Sequence, residues 1–181
     1  WHLGRIFAGL DMLDAQRYAL DGIVEIAADA RPDAIVVAGD LYDRAVPSED
    51  AVALLDDTFM RLSRIAPVLA IAGNHDSGRR LDFGRRLMRA AGVHLAGTSR
   101  EGVVAVEVAD RHGSVLFHLL PYATPDEACF ELGRDDLRTH DDATRARLGR
   151  VDTAGGRHVL VAHLFVHGGH ETRDSERDIS V

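Results

Sequence analysis

Six residues have the types and spacing to hold metal ions and move a proton beside them: His2, Asp40, Asp43, Asn74, His75 and His163. Leu69 to Ala72 is an apolar run that leads straight into Gly73-Asn74-His75-Asp76. Thirty-odd residues earlier, Ala34 to Ala38 leads in the same way into Gly39-Asp40-Leu41-Tyr42-Asp43. A third run, from Arg157 to Ala162, ends at His163. Ligands of open α/β sheets sit in the crevice outside the carboxyl ends of strands, so three deliveries of polar groups point to one shared site. Carboxylate, amide oxygen and imidazole together suit Mn²⁺, Fe²⁺ or Zn²⁺. The absence of clustered cysteines disfavours a structural zinc site. Two ions roughly 3.5 to 4 Å apart could share Asp40 as a bridge and clamp a phosphate under in-line attack. His75 is the candidate acid for a leaving alkoxide, and Asp43 is the candidate acid that orients its ring.

Each of these residues also has a plainer reading. Asp40 and Asp43 fit loop acids or a helix cap, and Gly73-Asn74 fits a turn that tolerates positive φ. His163 alone reads as a core histidine, and His2 alone carries almost no weight. The joint pattern, with the same strand-end placement three times, favours the site. His167-Gly168-Gly169-His170 resembles a metal-binding pair but lies in a polar stretch, and solvation is the better reading. Arg79, Arg80, Arg85, Arg86 and Arg89 read as a solvated helix face, with a DNA-backbone contact as the minority alternative. No Ser or Cys nucleophile with a base is found, nor a glycine-rich phosphate cradle.

The elements that must position these residues follow from periodicity. Leu20, Ile23, Val24 and Ala27 recur at helical steps and predict a helix over 14–30. The β-branched run at 34–38 predicts a parallel strand covered on both faces. Ser48 is a candidate N-cap for a helix over 48–65 whose stripe of Val52, Leu55, Phe59 and Leu62 is core or interface surface. Pro67 opens the next strand, and a further helix is expected over 79–91. Strand–helix alternation predicts a parallel sheet. The pattern then changes: 103–108 and 115–119, separated by Asp110-Arg111-His112-Gly113, predict a hairpin. Residues 125–150 predict a loop followed by a helix, 157–163 a strand, and 168–181 a polar loop. A strand upstream of Trp1 is also expected.

Size and composition set the frame. One domain with a full core accounts for 181 residues, and 46% hydrophobic content with mixed charge is that of a globular chain. No apolar run approaches the roughly 18 to 20 residues a bilayer requires, so no membrane association is expected. The lone Cys129 excludes an internal disulfide and suits a reducing compartment, giving a cytoplasmic expectation. Net charge is −8, from 29 acidic and 21 basic residues, and every basic residue is Arg. That balance argues against a generic phosphate-backbone binder. It leaves a nuclease open, because metal ions supply positive charge locally.

The motifs resemble those of the calcineurin-like metallophosphoesterase superfamily: the x-His end of Asp-x-His at His2, Gly39-Asp40-x-x-Asp43, Gly73-Asn74-His75-Asp76 and His163. Within it, Trp1 to Arg5, Leu41 to Pro47, Leu119-Leu120-Pro121-Tyr122 and Asp174 to Val181 resemble the bacterial SbcD nuclease family. The resemblance covers essentially residues 1–181. It implies an α/β sandwich with two central mixed β-sheets flanked by helices. It implies two divalent ions, Mn²⁺ first, with Mg²⁺, Fe²⁺ or Zn²⁺ as alternatives. His2 would hold the first ion, Asp40 would bridge, Asn74 and His163 would hold the second, and His75 would be catalytic with Asp43 orienting it. It also implies 3′→5′ exonuclease action on duplex DNA and endonuclease action on single strands and hairpins. The implied partner is SbcC, a coiled-coil ATPase, in repair and recombination, with pairing of two copies through the helices near 48–65 and 79–91. The family's first motif starts with an Asp upstream of Trp1, and its last, Gly-His-x-His, would follow Val181. A domain trimmed at both ends, with weak metal binding, is therefore expected. Alternatives are another phosphodiesterase or phosphatase of the superfamily, or a non-catalytic scaffold.

Overall fold

A computed structural model of the chain describes residues 1–166; His167, His170 and the 174–181 motif lie outside the described residues. The element order is β1 (Ile6–Phe7), β2 (Leu10–Asp11), α1 (Leu13–Ala30), β3 (Ile35–Val37), α2 (Glu49–Ser63), β4 (Val68–Ile71), α3 (Gly78–Leu81) and α4 (Arg85–Ala90). Then come β5 (Val93–Ala96), β6 (Val104–Asp110), β7 (Gly113–Leu120), α5 (Pro125–Leu132), α6 (His140–Leu148) and β8 (Arg157–Ala162). Among the described residues, no helix is long and apolar enough to cross a membrane.

β3, β4 and β5 form a parallel sheet with β4 in the centre. β6 and β7 pair antiparallel, β7 and β8 parallel, making a second, mixed sheet. The expected two-sheet sandwich is present, with one difference: the described strands of the first sheet are purely parallel. A small β1–β2 hairpin turns at Ala8-Gly9, both at positive φ, the geometry favoured by two-residue hairpin turns.

Alternation along β4 explains the layering. Successive side chains of a strand point to opposite faces. Val68 and Ala70 join one core with Leu20 and Ala27 of α1 and Leu54, Leu55, Phe59 and Leu62 of α2. Leu69 and Ile71 join a second core with Ala96, Val106, Leu119 and Val161, between the two sheets. All four β4 residues are completely buried, which suits a strand sandwiched between a helix layer and a second sheet. Burying a side chain of this kind is worth about 1.5 to 3 kcal/mol each. Burial of this kind on both faces anchors the strand that leads into Asn74 and His75.

Three expectations are corrected. The helix expected over 79–91 is two, α3 and α4, broken at Gly84, which adopts φ 74°. There the Asp82 carboxylate accepts from the Gly97 amide at 2.9 Å and the Thr98 hydroxyl at 2.7 Å, tying the end of α3 to the loop after β5. The loop-then-helix expected at 125–150 is α5, a loop and α6, each helix opened by a capping box at Thr124/Glu127 and Thr139/Asp142. β5 has no counterpart among the expected elements; its four residues, Val93-His94-Leu95-Ala96, are too few to show a period.

Candidate metal centre

The loops after β3 and β4 meet so closely that each depends on a glycine of the other. A Cβ on Gly73 would lie 2.1 Å from Asp40 Oδ1 and 2.3 Å from the Asp40 nitrogen. A Cβ on Gly39, at φ 100°, would lie 2.4 Å from His163 Nδ1 and 3.0 Å from Gly73 Cα. The glycines seen at these strand ends are therefore steric requirements for bringing the polar groups together. Asp40 itself sits at φ 50° and His2 at φ 52°. Left-handed backbone at a non-glycine residue costs of order 1 kcal/mol, and such strain is held where the surroundings over-determine it.

Asp76 ties these loops together. Its carboxylate accepts from the amides of Gly73 (2.8 Å), Tyr42 (2.9 Å) and Leu41 (3.1 Å). Burial pushes its pKa up, while those three amides and the field of Asp40 act in smaller measure, the amides pulling it down. His2 arrives by a separate route. The Leu3 amide donates to Leu41 O at 3.0 Å and the Asp43 amide to Leu3 O at 3.1 Å, so residues 2–4 lie parallel to 40–43. Gln16 of α1 clamps that segment, donating to His2 O at 2.7 Å and accepting from the Gly4 amide at 3.0 Å. Sequence reasoning missed both Gln16 and the role of Asp76. The first had no local signal, whereas the second sits inside the Gly-Asn-His-Asp motif itself.

His2, Asp40 and His75 place one ligand atom each within 4.8 Å of one another. His2 Nε2 lies 3.5 Å from Asp40 Oδ2, and the His2 and His75 rings meet edge to face with centroids 4.7 Å apart. Asp40 Oδ1 accepts from the His75 amide at 3.1 Å. On the other side, His163 Nε2 lies 3.7 Å from the same Oδ2 of Asp40 and 2.9 Å from Asn74 Oδ1. Asp40 thus stands between two donor groups, His2 with His75 and His163 with Asn74. Asp43 meets His75 through its backbone: His75 Nδ1 donates to the Asp43 carbonyl at 2.9 Å. The Asp43 carboxylate lies 3.7 Å from Arg44 Nε.

The electrostatics of this arrangement ask for a cation. His163 Nδ1 donates to the Ala38 carbonyl at 2.9 Å, which leaves Nε2 as the ring nitrogen that faces Asn74 Oδ1 and Asp40 Oδ2. Buried polar atoms are ordinarily hydrogen-bonded. His2 Nδ1 and His75 Nε2 are buried without a partner. Burial, first, lowers the His2 pKa against the pull of Asp40, favouring the neutral imidazole that ligates metals. The residues present therefore fit divalent ions of the borderline class.

The chain is 33% identical over 186 residues to the SbcD component of the SbcCD nuclease of Staphylococcus saprophyticus, an alignment that covers 100% of this chain and 48% of that protein. The chain thus spans about half the length of the curated relative it matches. The family described as Calcineurin-like phosphoesterase matches over residues 1–178. Because that match runs from Trp1 almost to the last residue and takes in every strand end described above, the chain belongs to the calcineurin-like phosphoesterase family.

Proposed function

We propose that this chain is the hydrolytic part of an SbcD-type DNA nuclease, cutting DNA phosphodiesters at a centre of two divalent ions, Mn²⁺ first. The observation that carries the reading is Asp40 Oδ2, flanked by His2 Nε2 at 3.5 Å and His163 Nε2 at 3.7 Å. His2 and Asp40 would hold one ion, with Asp40 shared by a second held by Asn74 and His163. Bound divalent ions polarise the phosphoryl oxygens and neutralise the charge that develops there. Apart from them, His75 is the group with a proton to give. Its Nδ1–H is committed to the Asp43 carbonyl, which fixes the ring and leaves Nε2 as the atom that faces a substrate. As a water oxygen bonds to phosphorus and the ester P–O bond breaks, a proton on Nε2 would pass to the leaving alkoxide.

The finer parts of the reading are 3′→5′ exonuclease action on duplex ends, endonuclease action on single strands and hairpins, work with SbcC in repair and recombination, and a cytoplasmic setting. Likeness to a subunit of the SbcCD nuclease supports the nuclease reading and a second subunit; the finer parts are what the motif resemblance implies. Pairing of two copies is supported by an apolar groove where α2 meets α3 and α4. It is lined by Val46, Val52, Phe59, Met60, Phe83 and Met88. Phe83 there is 86% exposed and Met60 46%.

The test is degradation of end-labelled duplex DNA with Mn²⁺, with EDTA as control and His75→Ala beside the wild type. Loss of a positioned general acid should lower kcat by about 10² to 10⁴-fold. Shortening from the 3′ end, abolished by EDTA and by the substitution, supports the proposal. Hydrolysis of a generic phosphodiester without any cleavage of DNA refutes it.

A further inference from the structure

The five arginines that follow His75 do not form one helix face. Arg79, Arg85 and Arg86 turn into a cleft of about 650 Å³ with Arg100, from the loop after β5. Arg80 lines the apolar groove, which Arg79 also borders, and Arg89 lies by His94, whose pKa it helps to lower after burial. In the cleft four guanidinium groups meet two carboxylates, Asp82 and Glu101. A net positive cavity on a chain of charge −8 is a local exception, and concave charge of one sign focuses field on a counter-ion.

The two carboxylates behave differently. Asp82 is committed to the Gly97 amide and the Thr98 hydroxyl. Glu101 accepts from Arg85 Nη2 through Oε2 and lies 4.0 Å from Arg86 Nη2 through Oε1. Its side chain is 67% exposed, whereas Asp82 lies 3.9 Å from Arg85 Nη1 as well. Arg85 is the reverse, 20% exposed and held at the base of the cleft. Arg86 is 87% exposed, and Arg100 stacks its guanidinium 4.6 Å from the centre of the Phe130 ring. A part-buried arginine beside an exposed one, bridged by an exposed carboxylate, is a seat in which an acidic side chain occupies the place of an external oxyanion. Arginine forks suit phosphate as they suit carboxylate.

The loop that borders the cleft also packs against the segment that follows the metal-centre residues. A Cβ on Gly78 would lie 2.1 Å from Gly97 O, so the segment after His75-Asp76-Ser77 is in direct backbone contact with the loop that carries Arg100 and Glu101. Both sites open at the carboxyl end of the parallel sheet.

We infer that the Arg79–Arg85–Arg86–Arg100 cleft seats a backbone phosphate of the DNA strand away from the reacting phosphodiester, and that Glu101 is the stand-in carboxylate this phosphate displaces. This rests on the reading of the substrate as DNA. It answers how so acidic a chain grips a polyanion: the grip is local, and the empty grip is self-neutralised.

The two halves of the inference demand opposite responses. Binding of fluorescein-labelled duplex is measured by anisotropy in EDTA at 50 and 200 mM NaCl, for wild type, Arg86→Ala, Arg100→Ala and Glu101→Gln. Each lost phosphate contact removes about 0.9 from the slope of log K against log salt, so each Arg variant should bind weaker at low salt and show a salt loss about threefold smaller. Glu101→Gln should bind tighter than wild type. Equal binding by all four proteins, or weaker binding by Glu101→Gln, overturns the cleft; so does no binding by the wild type. Mn²⁺-dependent hydrolysis of bis-p-nitrophenyl phosphate, too small to reach the cleft, should be equal in all four. If the binding order holds but no DNA is cut, the nuclease reading fails and the cleft stands. If DNA is cut and binding is equal, the cleft alone fails.

Discussion

Gly73 packs against Asp40 with no room for a methyl group: a Cβ would fall 2.1 Å from one carboxylate oxygen and 2.3 Å from the backbone nitrogen. The obstacle is partly main chain, so it cannot swing aside. Gly73→Ala should therefore destabilise the fold by about 1 to 3 kcal/mol and displace Asp40 from its two histidine neighbours. Gly22, in the middle of α1 with nothing within 4 Å of its added Cβ, is the internal contrast. Gly22→Ala should stabilise by about 0.5 to 1 kcal/mol. Denaturant midpoints for the two variants, moving in opposite directions, check the pair; a neutral Gly73→Ala would refute the steric account.

Tyr42 carries a phenol pushed up to about 12, by burial first and then by the fields of Asp76 and Asp56. A folded-state value above the unfolded one of about 10 means the neutral phenol is the form the fold favours. That contribution is fully present below pH 10 and is lost as pH rises from 10 through 12. Difference absorbance should show a late phenolate step, which should vanish in Tyr42→Phe. A titration with no late step would refute the assignment.

Arg147 is 2% exposed and brings α6 against the loop after β5, donating to Ser99 Oγ at 2.6 Å and to Pro121 O at 2.8 Å. Its Nε lies 3.4 Å from Glu131 Oε2, and Glu131 accepts from the Ser99 amide at 2.9 Å. Burial lowers the pKa of the guanidinium against the pull of Glu131 and Glu127, yet it stays charged. Arg147→Met strands a buried carboxylate and should cost about 3 to 5 kcal/mol. Removing both charges with Arg147→Met/Glu131→Gln should cost less than the single change. Thermal unfolding of the two variants decides it; a double variant no more stable than Arg147→Met refutes the coupling.

How much of this is legible in the sequence depends on distance along the chain. β3 and β4 announce themselves because an apolar run ending in Gly-Asp or Gly-Asn-His-Asp is a local pattern. The structure gathers Asp40, Asn74, His75 and His163 beside those ends. β5 and the break between α3 and α4 are hidden. β5 is too short to show a period, and the Asp82 bonds that pin the end of α3 reach Gly97 and Thr98, 15 and 16 residues away. Gln16 is hidden for the same reason: its value lies in two carbonyls of residues 1 and 2. The capping boxes of α5 and α6 are a different case, since Thr124-Pro125-Asp126-Glu127 is written in four adjacent letters and is masked only by the surrounding charge, which reads as loop.

The bond from His163 Nδ1 to the Ala38 carbonyl joins residues 125 positions apart. Contacts of such separation form late, because closing a long loop loses entropy before any contact repays it. On a ribosome, β3 and β4 can pair, and His2, Asp40 and His75 can gather, well before His163 exists. β8 must then dock beside β7 to carry His163 across to Ala38. The second sheet therefore acts as a timer: the full donor set does not come together until most of the described chain has been made. A growing chain holds an incomplete centre, and this member of the calcineurin-like phosphoesterase family is born unarmed.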